Sequence, residues 1–444
     1  MPASYASKNV AVLGLGSSGQ AAARLLLGEK ARVTVLDSGA GPSLESAAAA
    51  LRTEGATVLL GSAAEGSQGF DLGVLSPGIA PETPLVRRFL ECNPGAPLIG
   101  ELELSHSLCA CPVVAITGTN GKTTTTQLVE RMFNACGVRT LAAGNIGPAF
   151  AARVGESRNL DVMTLEVSSF QLETIVDFRP AIAVWLNFEA DHLDRYSSME
   201  EYYQAKLRVF ENQREGDFAI VKHGSPRPPL SELKAKTITF SASERGGDLD
   251  LRDGVIHFHG QPVLRMAETK LRGLHNAENL MAALAVGAAK GLPFEPMVRA
   301  LCEYEPLPHR CELIRTLDGV DYVNDSKATN LDAMEKALLS ETRPVVLIAG
   351  GKDKGFEFDS LTPLVTSRAR CAILIGEMAG RIAGFWEPQI RCLQAGSLAE
   401  AVRLARANAT AGDVVLLSPG TSSYDMFKSY ADRGDQFRKA VLEL

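Results

Sequence analysis

The residues with the plainest chemistry in this sequence are Gly118-Thr-Asn-Gly-Lys-Thr-Thr124, which follow an apolar β-branched run, Val113–Ile116, and precede a helix-compatible stretch from Thr124 to Cys136. A strand, a glycine turn with a lysine and a hydroxyl residue, and then a helix form the setting that a phosphate-binding loop requires. Backbone N–H groups of Gly118, Thr119, Asn120 and Gly121 can cradle phosphate oxygens. Lys122 can reach the β and γ phosphates, and Thr123 can ligate magnesium, with Thr124 beside it. The usual P-loop spacing is not met, because its first glycine would fall at Ile116. The compact core is intact, and a lysine held between glycine and threonine at such a turn is seldom decorative. Glu166 ends another apolar run, and a carboxylate there suits a hard cation that prefers oxygen ligands. The plainer alternative is a solvated glutamate at a strand end.

A second glycine turn, Gly14-Leu15-Gly16-Ser17-Ser18-Gly19, follows the run Val10–Leu13, and Asp37 ends the next predicted strand, Arg32–Leu36. This is the complete dinucleotide fingerprint, with glycines for close backbone approach and a helix N-terminus for a pyrophosphate. Three readings stay open on these residues alone: a nicotinamide site, another nucleotide diphosphate, or a turn without a ligand. Ser76-Pro77-Gly78 follows the strand Leu72–Leu75 and could face the same crevice. The loop at Lys122 weighs against hydride transfer, which has no need of a triphosphate-type turn.

These turns need rigid strands beneath them. Val10–Leu13, Val113–Ile116, Val345–Ile348, Ala372–Ile375 and Val414–Leu417 read as buried strands, and Gln20–Leu27, Thr124–Cys136 and Leu398–Asn408 as helices. That alternation is the mark of parallel α/β sheets. At 444 residues the chain exceeds one hydrophobic core, so two or three domains are expected. Breaks are read at Asn93-Pro-Gly-Ala-Pro97 and Glu305-Pro-Leu-Pro308, and Gly224–Lys236 and Glu244–Asp253 read as loops or a small β insertion. The net charge of −7 argues against a nucleic-acid partner. Eight cysteines without a C-x-x-C pair read as reduced thiols. The N-terminus lacks a signal-peptide pattern, and the longest apolar run, Leu280–Ala289, is too short to span a membrane. The expectation is a soluble, cytoplasmic protein with no membrane partner.

Further motifs make a resemblance specific: the chain resembles the Mur ligases along its whole length. Gly144-Asn-Ile-Gly147, Leu165-Glu-Val-Ser-Ser-Phe-Gln171, Asn187-Phe-Glu-Ala-Asp-His-Leu-Asp194, His275-Asn-Ala-Glu-Asn279, Leu307-Pro-His-Arg310 and Asn324-Asp-Ser-Lys-Ala-Thr-Asn330 are similar to that family's motifs, in family order. The resemblance implies an α/β protein of three domains: an N-terminal Rossmann-like domain for a uridine nucleotide (1–100), a central P-loop ATPase-type mononucleotide-binding domain (101–306) and a C-terminal Rossmann-like domain for an amino acid (307–444). The loops at Gly14–Gly19 and Ser76–Gly78 would hold the UDP part, with Asp37 near the uracil and with Asn145, Ser168 and Gln171 on the carried substrate. Glu166 and His192 would each serve a magnesium site. Lys206, on its own merely a helical lysine, takes the position carbamylated in most Mur ligases. Asn276, Asn279, Arg310, Asp325 and Lys327 would serve ATP.

The C-terminal motifs imply the amino acid. Thr329, Lys354 of Gly350-Gly-Lys-Asp-Lys-Gly355, and Ser423 with the Tyr424 backbone in Ser418–Phe427 are similar to residues that grip the two carboxylates of D-glutamate. Gly420 and Thr421 stand where alanine and cysteine are commoner, and Tyr430 stands where many relatives have phenylalanine. The implied reaction uses ATP and two magnesium ions. The carboxylate of UDP-N-acetylmuramoyl-L-alanine becomes an acyl phosphate, which the D-glutamate amine attacks. Closure about Leu307–Arg310 would assemble the site, in a monomer. Rivals are the other Mur ligases and folylpolyglutamate synthase. From other classes come an NAD-dependent oxidoreductase, opposed by the loop at Lys122, and a silent nucleotide-binding module, opposed by Glu166, Lys206 and Lys327.

Overall fold

The computed structural model describes residues 4–192, 195–224, 226–305, 308–387 and 389–444, and of Ser43 the backbone alone. Among the described residues three sheets form, and each grows from the β-branched runs noted above. The first comprises β1 (Asn9–Leu13), β2 (Arg32–Asp37), β3 (Thr57–Leu60), β4 (Leu72–Leu75) and β5 (Leu98–Gly100), all parallel, in the order β3-β2-β1-β4-β5. The proline–glycine break at Asn93–Pro97 is a turn inside this sheet, between the helix Pro84–Cys92 and β5. It does not separate two domains.

The second sheet holds β6 (Val113–Thr117), β7 (Thr140–Gly144), β8 (Val162–Glu166), β9 (Ile182–Trp185), β10 (Phe218–Lys222), β11 (Lys236–Ser241), β12 (Leu249–Arg252), β13 (Val255–Phe258) and β14 (Gln261–Arg265). Its order is β14-β13-β12-β11-β10-β9-β6-β8-β7, parallel from β7 to β12 and antiparallel in the terminal meander. The polar stretch Glu244–Asp253 thus contributes β12 to a β extension, while Gly224–Lys236 carries one short helical turn, Leu230–Glu232. β6, β8 and β9 are wholly buried, which explains their unbroken apolar reading, since both faces of a parallel sheet are covered.

The third sheet contains β15 (Glu312–Leu317), β16 (Val320–Asn324), β17 (Val345–Gly350), β18 (Ala369–Ile375), β19 (Arg391–Gln394) and β20 (Val414–Leu417). It runs β15-β16-β20-β17-β18-β19, with β15 the antiparallel member. The chain divides into two compact units. One comprises Met1–Phe188, Arg195–Arg265 and Glu278–Cys302, and the other Glu189–Asp194, Met266–Ala277 and Glu303–Leu444. The first two sheets share a unit, and two short middle segments belong with the third sheet. Of the hinge motif, Leu307 lies outside the described residues, as does Asp194.

Candidate active site

In the first unit, β6 delivers the chain into the loop and the helix Lys122–Ala135 carries it out. Gly118 (φ +154°) and Gly121 (φ +83°) hold backbone conformations that a side chain resists. A Cβ on Gly121 would also sit 2.3 Å from Asn279 Oδ1. Asn187 clamps the loop: its Oδ1 accepts from Asn120 N (2.8 Å) and its Nδ2 donates to Asn120 O (3.1 Å). Lys122 Nζ donates to Gly118 O (2.9 Å) and Thr119 O (2.8 Å), so the cation folds back over its own loop. Lys206 Nζ donates to the same Gly118 carbonyl at 3.0 Å, is 1% exposed, and lies 4.7 Å from the Tyr202 ring centre. Asn279 Oδ1 accepts from Thr125 Oγ1 at 3.2 Å, which fixes it beside the glycines.

Glu166 ends β8 opposite Ile116 of β6, next to the loop. Asn145 Nδ2 donates to its Oε1 (2.8 Å), and Asn145 N to its carbonyl (2.9 Å). Its Oε2 is buried without a hydrogen-bond partner among the described residues, and so is Thr117 Oγ1 at the end of β6. A buried carboxylate oxygen left unmatched is costly unless something supplies positive charge. An all-oxygen donor set of this kind fits magnesium, which takes one or two carboxylates and completes its shell with waters and phosphate. The residues present therefore fit the ion. Thr123, half-buried in the first helical turn, could add its hydroxyl.

The N-terminal glycine turn is as tight as its spacing predicts. A Cβ on Gly19 would lie 1.9 Å from Gly14 O, and one on Gly14 (φ +102°) 2.7 Å from Ile79 Cδ1. Gly16 caps the helix Ser17–Gly28 without a side-chain bond. Asp37 spends both carboxylate oxygens on the backbone, accepting from Leu15 N (2.7 Å) and Gly39 N (2.8 Å). Its observed work is to brace the turn. Arg195 ties the Ser76–Gly78 turn to the central sheet: it donates to Pro77 O (3.1 Å), pairs with Glu173 (2.6 Å) and stacks on Phe170 (4.1 Å). Ser168 and Gln171 form a reciprocal capping box on the helix Ser169–Leu172. Those two side chains are engaged locally.

The second unit gathers the C-terminal motifs at the carboxyl ends of β16, β17 and β20. Asp325 is buried, accepting from Cys311 N (3.2 Å) and Ser418 Oγ (3.1 Å), and burial pushes its carboxyl up to about 7 against those bonds and the Arg310 charge. Lys327 Nζ lies 3.9 Å from the Tyr430 ring centre. Thr329 is half-buried in the turn before the helix Leu331–Ser340, Ser423 is buried, and Tyr424 is exposed. Gly420 (φ +70°) holds a left-handed backbone that favours glycine, and a Cβ there would also crowd the flexible end of Met334 at 2.7 Å; the Thr421 hydroxyl donates to Lys352 O. The two departures thus have local structural reasons. Burial, reinforced by the Lys336 and Arg310 charges, pushes His275 down to about 4, so the imidazole beside Asn276 is neutral at pH 7.

Two groups were missed by motif reading. Asp191 is buried in this unit: Asn330 Nδ2 donates to it (3.1 Å), Lys354 Nζ stands 3.6 Å away and His192 Nε2 3.7 Å. Burial alone would raise its carboxyl, but the charges of His192 and Lys354 prevail with the His192 amide and the Asn330 side chain and hold it below the usual range. His192 is a loop residue with φ +56°, well past the end of β9. Arg433 is the other: it is fully buried, and burial lowers its guanidinium to about 10. No sequence signal separates it from a surface arginine of an amphipathic helix.

Comparison with known proteins accounts for this arrangement. Three family models match in succession: the Mur ligase MurD-like N-terminal domain over residues 8–100, the Mur ligase middle domain over 116–287, and the Mur ligase glutamate ligase domain over 309–420. The chain belongs to the Mur ligase family. It is 40% identical over 455 residues to a UDP-N-acetylmuramoylalanine–D-glutamate ligase of Pelotomaculum thermopropionicum, covering 99% of this chain and 98% of that one. A protein of the same name from Geobacter metallireducens is 41% identical over 98% of this chain and 97% of its own. Among solved structures, the MurF ligase of Thermotoga maritima in complex with ADP matches with a TM-score of 0.65 at 15% identity, over 100% of both chains. A pseudomurein peptide ligase type C from Methanothermus fervidus matches with 0.62 at 18% identity, over 98% of this chain and 100% of that one. These two share the fold.

Proposed function

We propose that this protein is an ATP-dependent ligase that joins D-glutamate to UDP-N-acetylmuramoyl-L-alanine, acting in the cytoplasm as a monomer. The observation that carries the reading is the likeness, at 40% and 41% identity along nearly the whole chain, to ligases named for that reaction. The site chemistry supports it. Lys122 would leave Gly118 O and Thr119 O for the β and γ phosphates, while the loop amides hold the phosphate oxygens. Held by Thr123, Glu166, His192 and carbamylated Lys206, two magnesium ions would neutralise charge on the phosphates.

The substrate carboxylate attacks the γ phosphorus, the bond to ADP breaks, and an acyl phosphate forms. The D-glutamate amine then attacks the acyl carbon, loses a proton and expels phosphate. No nucleophilic side chain is needed, so catalysis is positioning and electrostatics. Carbamylation of Lys206 by carbon dioxide would turn a cation into an anion. It leaves one N–H, so the bond to Gly118 O can persist. Thr329, Lys354, Ser423, the Tyr424 backbone and Tyr430 would receive D-glutamate. Lys354, now beside Asp191, would gain a substrate carboxylate.

The deciding experiment is phosphate release with ATP, magnesium, UDP-N-acetylmuramoyl-L-alanine and a panel of amino acids. Release is expected with D-glutamate. Release with L-alanine or L-lysine and none with D-glutamate would overturn the assignment. Light scattering is expected to give one chain's mass, and a dimer mass would refute that part.

A further inference from the structure

Arg433 is 0% exposed, on the helix Tyr430–Leu442, and forms no ion pair among the described residues. Its Nε donates to Ser326 Oγ (2.9 Å), Nη2 to Ser326 O (2.8 Å) and Nη1 to Thr421 O (3.3 Å). A third strand-end turn meets it at Gly351, where a Cβ would stand 3.3 Å from Nη1 and 2.2 Å from Ser422 O. Lys352 N donates to Ser422 O (2.9 Å), which zips that turn to the Thr421 loop. The Ser326 hydroxyl passes its own hydrogen to Tyr430 O (2.8 Å), closing the ring back onto the arginine's helix.

A buried cation without a carboxylate beside it is a poor device for stability, since an apolar side chain of similar volume often serves as well or better. What the guanidinium has and an apolar group lacks is a rigid fork of donors that can bind several carbonyls at fixed angles. The two turns it bonds are those bearing Thr329 and Ser423, and the bond from Lys352 N to Ser422 O ties in the turn bearing Lys354.

We propose that Arg433 is a positioning residue for amino-acid selection: its buried fork holds the turns of Ser326 and Thr421, and through the Lys352–Ser422 bond the turn of Gly351, at the spacing that a dicarboxylate requires. Its charge, offset only at a distance by Asp425 and Asp325, adds a positive field behind that pocket. The inference rests on D-glutamate being the amino acid bound.

The test uses full-length Arg433→Lys and Ser326→Ala, with Arg433→Met as a harsher variant. Lysine keeps the charge but loses the fork, and alanine at 326 removes one link of the ring. Arg433→Lys is expected to raise KM for D-glutamate at least about 10-fold, and Ser326→Ala about 3-fold, with KM for the uridine substrate within about 2-fold. Hydrogen exchange at 325–330, 350–355 and 418–424 should quicken together in both variants. A uniform rise of both KM values, or a fall in kcat alone with a lower Tm, would overturn the proposal. So would unchanged exchange in the three turns of a folded Arg433→Lys protein. Wild-type protein that releases no phosphate with D-glutamate refutes the functional reading by itself, and the exchange pattern still decides whether Arg433 locks the turns.

Discussion

Replacing Glu166 by glutamine separates the two roles a buried carboxylate can play. The residue is 3% exposed, with Oε1 bonded to Asn145 at 2.8 Å and Oε2 unmatched. Glutamine keeps the shape and can still accept from Asn145. The charge-assisted bond, worth about 1.5–3 kcal/mol, becomes a neutral one worth about 0.5–1.5 kcal/mol, a loss near 1 kcal/mol. Against this, the fold no longer carries a carboxylate oxygen without a partner, a burden of about 1–3 kcal/mol, although the new amide N–H group is itself only partly matched. The two changes nearly cancel, so Tm should move by no more than about 3 °C. Catalysis is another matter. An ion held by this carboxylate would supply several kcal/mol of charge stabilisation, and losing even about 2.7 kcal/mol would lower turnover about 100-fold. Thermal shift and phosphate release should therefore diverge: a near-native Tm with activity down at least about 100-fold. The rise in Tm caused by ADP should depend on magnesium in the wild type and be the same with magnesium or with EDTA in Glu166→Gln. Activity within about 3-fold of wild type, or a retained magnesium-dependent part of the ADP shift, would refute the assignment.

Three more outcomes follow from the same geometry. Gly121→Ala, with its Cβ 2.3 Å from Asn279 Oδ1 at φ +83°, should lose about 1–2 kcal/mol of stability and weaken ATP binding at least about 10-fold by calorimetry; unchanged binding would contradict the tight turn. Asp325, raised from 3.8 to about 7 by burial, is protonated more readily when folded. Its contribution to stability is therefore full below pH 3.8, fades as pH rises towards about 7 and is then gone. The fall in Tm across that window should flatten in Asp325→Asn, and an identical slope would refute it. Lys206→Arg should cut activity at least about 100-fold, and native mass spectrometry of the wild type should show carbon dioxide bound at Lys206. Full activity in the arginine variant would remove its role.

What the sequence made legible was local. The turns at Gly118–Lys122 and Gly14–Gly19 could be read because glycine spacing encodes left-handed backbone and close approach within a few residues, and β1, β6 and β17 because burial on both faces leaves unbroken apolar runs. What it hid was set by distant packing. Nothing in Asn93–Pro97 says that β5 still pairs with β4. The membership of Glu189–Asp194 and Met266–Ala277 in the second unit depends on contacts across the chain. Ser168 and Gln171 were read for a substrate, yet their spacing is also that of a capping box, and the observed bonds are the local ones. Asp191 and Arg433 escaped because burial, not residue type, makes them unusual.

The posture of Lys122 bears on selectivity and turnover alike. Gly118 O and Thr119 O both accept from the ammonium, which is only partly exposed. A ligand would gain only the difference between its own oxygens and two carbonyls, which favours polyphosphates over weakly charged anions. In the proposed reaction the same carbonyls would take the lysine back after phosphoryl transfer. The loop would thus carry its own substitute ligand, and ADP would depart by exchange with two carbonyls that keep the ammonium hydrogen-bonded.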